Sequence, residues 1–173
     1  VSGVADMSSL SEWTASQFDP ALNWDDVQWI KKRWGGKLIL KGIQDVEDAK
    51  LAAASGADAL IVSNHGGRQL DGAQSSIEAL PAIVDAVERQ IEVHMDGGIR
   101  SGQDVLRALA LGAKGTYIGR AMLYGLGAMG EAGVTRALEI IHKELDITMA
   151  FCGHTQVTQV NREILLPGSY PTA

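Results

Sequence analysis

The chain has 173 residues, 46% of them hydrophobic and 21% charged, with a formal net charge of −6. This is the balance of a globular domain, and without a basic stripe it speaks against nucleic acid as a partner. The single cysteine, Cys152, rules out an internal disulfide framework. No apolar run approaches the ~20 residues that span a bilayer, so a cytoplasmic location is expected.

The chain opens Val1-Ser2-Gly3 rather than on methionine, which fits a processed or nicked protein. Val1 to Gln17 is polar and has no period, so residues 1–18 are expected as a loop segment. Asn23 then caps a helix with Asp25 and Asp26 in its first turn, where carboxylates favour the positive end of the helix dipole. Val27, Ile30 and Trp34 give that helix an apolar face, and Gly35-Gly36 stops it. From there a unit repeats. Lys37 to Leu40 is a short apolar run, followed by Lys41-Gly42 and a helix over about 46–55. Ala57 to Val62 is the second run, and Ser75-Ser76-Ile77-Glu78 reads as a capping box opening the next helix. Ile91 to Met95 is the third, followed by Asp96-Gly97-Gly98 and a helix over about 102–112. Gly115 to Ile118 is the fourth, followed by Gly119-Arg120 and helix to about Phe151. Val134, Leu138, Ile141 and Leu145 form one face of this last helix. After Gly153 periodic signals fade, and 156–173 is expected as a tail.

Short strands alternating with amphipathic helices make a parallel α/β sheet, and their near-continuous apolar runs suggest cover on both faces. A doubly wound sheet and a (β/α)8 barrel both satisfy this pattern. The polar and glycine clusters all follow the C-terminal ends of strands, which in barrels is the active-site face, with phosphate bound after the last two strands. A full barrel needs about 250 residues, and only four units are present. Residues 19–155 therefore read as the second half, about strands 5–8, of a TIM barrel.

Asp96-Gly97-Gly98-Ile99-Arg100 and Gly119-Arg120 bring two helix starts, close-approach glycines and two guanidiniums to adjacent strand ends. That combination describes a cradle for a phosphate dianion; the alternative is that the arginines pair with surface acids. Ser63-Asn64-His65-Gly66-Gly67-Arg68 follows the second strand. His65 can take and return a proton near neutral pH, and Arg68 can hold a carboxylate through two parallel N–H···O contacts. Lys41 could pair with an acid, form a Schiff base or place positive charge beside a cofactor. His94, His142 and His154 read as structural or solvated.

Together with Gln69-Leu70-Asp71, these motifs resemble the FMN-dependent L-2-hydroxy-acid dehydrogenase and oxidase family from about Phe18 to Gly153. Within it, Leu70-Asp71-Gly72, Ser75-Ser76 and Ala79-Leu80-Pro81-Ala82-Ile83 look most like the quinone-linked bacterial L-lactate dehydrogenases. The resemblance implies FMN as cofactor and a small 2-hydroxy acid, L-lactate, as substrate. Quinone, cytochrome or oxygen would be the electron acceptor. By the same resemblance His65 is the catalytic base and Arg68 holds the substrate carboxylate. Lys41 would lie by the flavin N1/O2 edge, with Ser63 and Asp96 near the ribityl chain. Gly97, Gly98, Arg100, Gly119 and Arg120 would hold the phosphate. It further implies a missing N-terminal half of the barrel, a homo-oligomer, a mobile loop before Phe18 and, in some members, contact with a membrane surface. Another phosphate-binding barrel leaves His65-Gly66-Gly67-Arg68 unexplained. A half-barrel that only assembles or folds, without catalysis, is the other alternative.

Overall fold

The computed structural model describes residues 7–170. The chain divides between Gly35 and Gly36 into two compact units.

In the first unit, Met7–Ala15 forms a helix, α1, where a loop was expected. Met7, Leu10 and Trp13 are its only large apolar residues, three apart over two turns, too short a signal to read as a period. The Thr14 hydroxyl donates back to the Leu10 carbonyl at 2.7 Å within it. Residues 1–6 of the expected loop lie outside the described residues. Helix α2 (Trp24–Trp34) starts as its sequence dictates. Asn23 Oδ1 accepts the Asp25 N–H at 2.8 Å, and the Asp26 carboxylate accepts the Asn23 N–H at 2.9 Å. Gly35, at φ 70°, ends it in the left-handed conformation that glycine takes without strain. The expected apolar face does not become a buried face: no residue of α2 is buried.

The second unit alternates β1 (Ile39–Ile43), α3 (Val46–Ala54), β2 (Ala59–Val62), α4 (Ser76–Val87), β3 (Glu92–Asp96), α5 (Gly102–Ala110), β4 (Gly115–Tyr117) and α6 (Arg120–Phe151). The strands form one parallel sheet in the order β1-β2-β3-β4. A doubly wound sheet reverses its order at a switch point; this one never does. Right-handed crossovers that always advance the same way put every helix on one face and leave the other face as a barrel interior. The two faces can be told apart by burial. Leu60, Val62, Val93 and Met95 are buried towards the helices. Lys41, Ile61 and His94 are in register on the opposite face, which Asp96 and Tyr117 continue. Only β2 is buried along its whole length; Glu92, His94 and Asp96 alternate with buried neighbours in β3. Double-sided cover, inferred from the apolar runs, holds only at the centre of the sheet. His94 tilts against Tyr117 with ring centres 5.8 Å apart, packing on the backbone of Gly115.

Strand β1 starts later than its apolar run, so Lys41 and Gly42 lie within it rather than after it. Before it, the Asp58 carboxylate takes both the Leu38 N–H, at 2.9 Å, and the Lys37 ammonium, at 2.7 Å. That hydrogen bond raises the Lys37 pKa above the ordinary lysine value. The register then shifts between Lys41 and Ile43, a bulge at Gly42, whose φ of 105° suits glycine.

The Ser75 capping box does not form. Its hydroxyl donates to Glu78 Oε2 at 2.7 Å instead of accepting from the backbone. At α5 the box is complete, between Ser101 and Asp104. Helix α6 is two pieces joined at Met129-Gly130, where φ leaves the helical range. Of the face expected from Val134, Leu138, Ile141 and Leu145, Ile141 is buried and Leu138 exposed. The reason is how closely α6 packs on α5: a Cβ at Gly102 would lie 1.9 Å from the Leu145 nitrogen, and the Glu144 carboxylate accepts the Gly102 N–H at 3.0 Å. The tail forms two short turns, and Arg162 forks onto Asp85 of α4 at 2.8 and 3.1 Å. No described helix is long and apolar enough to cross a membrane.

Candidate active site

The C-terminal strand ends enclose a cleft of about 390 Å³. It is lined by Lys41 from β1, by His65 and Arg68 after β2, by Asp96, Gly97, Gly98 and Arg100 after β3, and by Gly119 and Arg120 after β4. Every candidate singled out from the sequence is there except Ser63. A larger hollow of about 760 Å³ lies at the opposite end of the sheet, among residues 84–93, 109–114 and 157–162, and contains none of them.

Ser63 is absent from the lining because it is buried beneath it. Its hydroxyl accepts from the Lys41 ammonium at 3.1 Å and from the His65 backbone N–H at 3.1 Å, and it donates to Asp96 Oδ1. A hydroxyl has one proton and two lone pairs, so the Ser63 hydroxyl has no hydrogen-bonding capacity left. Lys41 in turn reaches Asp96 Oδ2 at 3.0 Å. Of the roles open to Lys41, pairing with an acid is the one in place, and the shared carboxylate tempers the charge it presents to the cleft.

His65 has φ 55°, outside the usual range for a residue with a Cβ, and Gly66 and Gly67 continue the left-handed turn at 68° and 72°. Such a backbone costs roughly 1–2 kcal/mol at a non-glycine residue. Hydrogen bonds worth about 1 kcal/mol each offset it. One runs from His65 N to Ser63; Gly66 N donates to Asn64 Oδ1 at 3.0 Å, and Gly67 N to the Asn64 carbonyl at 3.0 Å. The turn swings the imidazole over Gly42, where a Cβ would sit 2.8 Å from His65 Cε1. The bulge in β1 and the missing side chain at Gly42 together make room for the ring.

The guanidiniums of Arg68, Arg100 and Arg120 form no ion pair with any described residue, whereas Arg107, Arg136 and Arg162 each meet a carboxylate. Pairing with surface acids, the alternative to a phosphate cradle, is therefore not what Arg100 and Arg120 do among the described residues. Gly97 and Gly98 have φ 98° and 81°, and Gly98 and Gly119 would have open space around an added Cβ. Arg100 N–H donates to Asp104, so its backbone is fixed while its side chain is free to meet a ligand. Concentrated positive charge at the starts of α5 and α6, beside exposed glycine backbone, suits a doubly charged phosphate.

Residues 2–167 match the model of the family described as FMN-dependent dehydrogenase. The chain belongs to that family. It is 56% identical over 153 residues to an L-lactate dehydrogenase of Caulobacter vibrioides, covering 88% of this chain and 40% of that protein. With an L-lactate dehydrogenase of Actinobacillus pleuropneumoniae the identity is 49% over 154 residues, covering 89% and 40%. A solved mandelate oxidase with (S)-4-hydroxymandelic acid superposes with a TM-score of 0.86 at 44% identity, over 90% of this chain and 44% of that one. The chain thus spans about 40% of the length of the curated relatives it matches, and its fold is part of their barrel.

The family's cofactor is FMN, and the cleft fits its phosphate on the grounds already given: the guanidiniums of Arg100 and Arg120, without an ion pair to any described residue, glycine backbone and two helix starts. Motif reasoning did not single out Tyr117 and Leu123, which also line the cleft, nor Gly42, Asn64 and Ser76, which shape the turns behind it. The positive φ of Gly42 has no sequence signature beyond its following a strand lysine.

Proposed function

We propose that this chain carries the substrate-binding and phosphate-binding side of an FMN-dependent enzyme that oxidises L-2-hydroxy acids, with L-lactate, converted to pyruvate, as the substrate. The observation that carries the reading is that one turn brings His65 and Arg68 into the same cleft as Arg100 and Arg120, with no ion pair to any described residue at the three arginines. The names of the Caulobacter and Actinobacillus relatives support lactate.

Oxidising a 2-hydroxy acid removes the hydroxyl hydrogen and the α-hydrogen, together two protons and two electrons. Arg68 binds the substrate carboxylate through its planar fork and orients the α-carbon. His65 takes the proton that leaves, and the left-handed turn holds its ring in place while it does so. Arg100, Arg120 and the amides of Gly97, Gly98 and Gly119 hold the cofactor phosphate. Lys41, fixed by Ser63 and Asp96, supplies tempered positive charge beside the cofactor. When bound, FMN would supply the two-electron redox chemistry, with quinone, cytochrome or oxygen as the onward acceptor. The remaining strands of the barrel complete the site, and the whole enzyme assembles as a homo-oligomer.

The test uses a chimera in which this chain replaces the matching segment of the Caulobacter vibrioides relative. Anaerobic bleaching of its flavin is followed with L-lactate, glycolate and mandelate, then reoxidation with oxygen or a quinone. Bleaching fastest with L-lactate is expected. A yellow chimera that none of the three reduces would sink the reading.

A further inference from the structure

Two turns of the cleft, the one carrying His65 and Arg68 and the one carrying Gly97 and Gly98, rest on the same buried hydroxyl. Ser76, the first residue of α4, is 2% exposed. Its Oγ accepts the Asn64 N–H at 3.1 Å. Asn64 is the last residue before the left-handed turn, and its own side chain accepts from Gly66 and donates to the Gln74 carbonyl at 3.4 Å. On the other side, a Cβ at Gly97 would lie 2.9 Å from Ser76 Oγ and 3.3 Å from Asn64 Oδ1. The phosphate-side turn therefore lies directly against the pair that fixes the histidine turn. Ser75, the residue that the capping pattern points to, takes no part, since its hydroxyl is engaged with Glu78.

We propose that Ser76 is a positioning residue that couples proton transfer to cofactor binding, by locking the backbone entering His65 and bracing the Gly97 turn at one atom. This rests on the functional reading above. Without the hydroxyl, the half-buried Asn64 N–H loses its acceptor and the Gly97 turn loses the oxygen it packs on, so both turns relax together. A serine serving only to start α4 would affect stability and neither turn.

The experiment compares Ser76→Ala and Ser76→Thr in the chimera, well below its melting temperature. The measurements are FMN affinity of the apo-protein by equilibrium dialysis, and the anaerobic flavin-reduction rate at saturating L-lactate. Ser76→Ala is expected to weaken FMN binding and slow reduction, each by about tenfold, the effect of about 1.4 kcal/mol. Ser76→Thr, which keeps the oxygen, restores both. If Ser76→Ala lowers the melting temperature but leaves both quantities unchanged, or changes only one, the coupling is refuted. Loss of both without rescue by threonine also refutes it. His65→Gln separates the two readings: should it leave reduction unaffected, the functional reading fails, whereas a null result at Ser76 beside a slow His65→Gln sinks only this inference.

Discussion

Gly42 decides where the imidazole of His65 can sit. Its φ of 105° and the 2.8 Å approach of His65 Cε1 to a Cβ built there leave no room for a side chain. Gly42→Ala should therefore push the ring out of place and slow flavin reduction by at least ~10-fold, while FMN binding, whose phosphate contacts are assigned to Arg100, Arg120 and the glycine amides, changes far less. Stopped-flow reduction and dialysis of one preparation read both, and an unchanged reduction rate would show that the ring's seat over Gly42 does not matter. Arg68→Lys keeps the charge and loses the fork. Weaker saturation with L-lactate is expected, and unchanged saturation would place the carboxylate elsewhere. The types and order of His65, Arg68, Arg100 and Arg120 were legible in the sequence because each belongs to a motif with a chemical use. The hydrogen-bonded arrangement of Lys41, Ser63 and Asp96 was not, since it joins β1, the residue after β2 and the end of β3 through contacts 22 and 33 residues apart.

At the scale of elements, helix starts and strand order explain most of the site. The box at Ser101 and Asp104 aligns the start of α5, and the Glu144 carboxylate from α6 meets the same end through Gly102 N–H. Any side chain at Gly102 would run into the α6 backbone, so Gly102→Ala should destabilise the protein by about 1–3 kcal/mol or more. Chemical denaturation checks it, and an unshifted midpoint would mean that α5 and α6 do not pack this closely in solution. Arg100→Ala combined with Arg120→Ala should strip FMN on dialysis while altering the reduction rate of retained flavin far less. Full retention would remove the phosphate cradle. Existence and order of the strands and later helices could be read from periodicity and glycine placement. Boundaries could not be. The start of β1 depends on Asp58, twenty residues from the Leu38 N–H it captures, and α1 has too few apolar residues to announce itself.

At the scale of the molecule, the sheet has two edge strands, β1 and β4, and an inner face carrying Lys41, His94, Asp96 and Tyr117. Edges of a parallel sheet present unpaired N–H and C=O groups that further strands of a closed barrel would satisfy. Large apolar side chains along α6, including Leu123, Tyr124, Leu126 and Met129, are exposed as well. The chain expressed alone is therefore expected to be colourless, inactive and self-associating by sedimentation. A monomeric, FMN-loaded and lactate-reducible chain would mean that it holds a complete site. Sequence showed that four units are too few for a barrel, and the unbroken strand order then excluded the doubly wound alternative.

The central claim is that His65 takes the substrate's proton in a flavin site whose phosphate side this chain supplies. Anaerobic flavin bleaching by L-lactate, in the chimera with and without His65→Gln, tests it most directly. The account predicts that both proteins are yellow with equal FMN content, and that the variant bleaches at least ~100-fold more slowly, the loss typical of a removed general base. Equal bleaching rates in the two would contradict it.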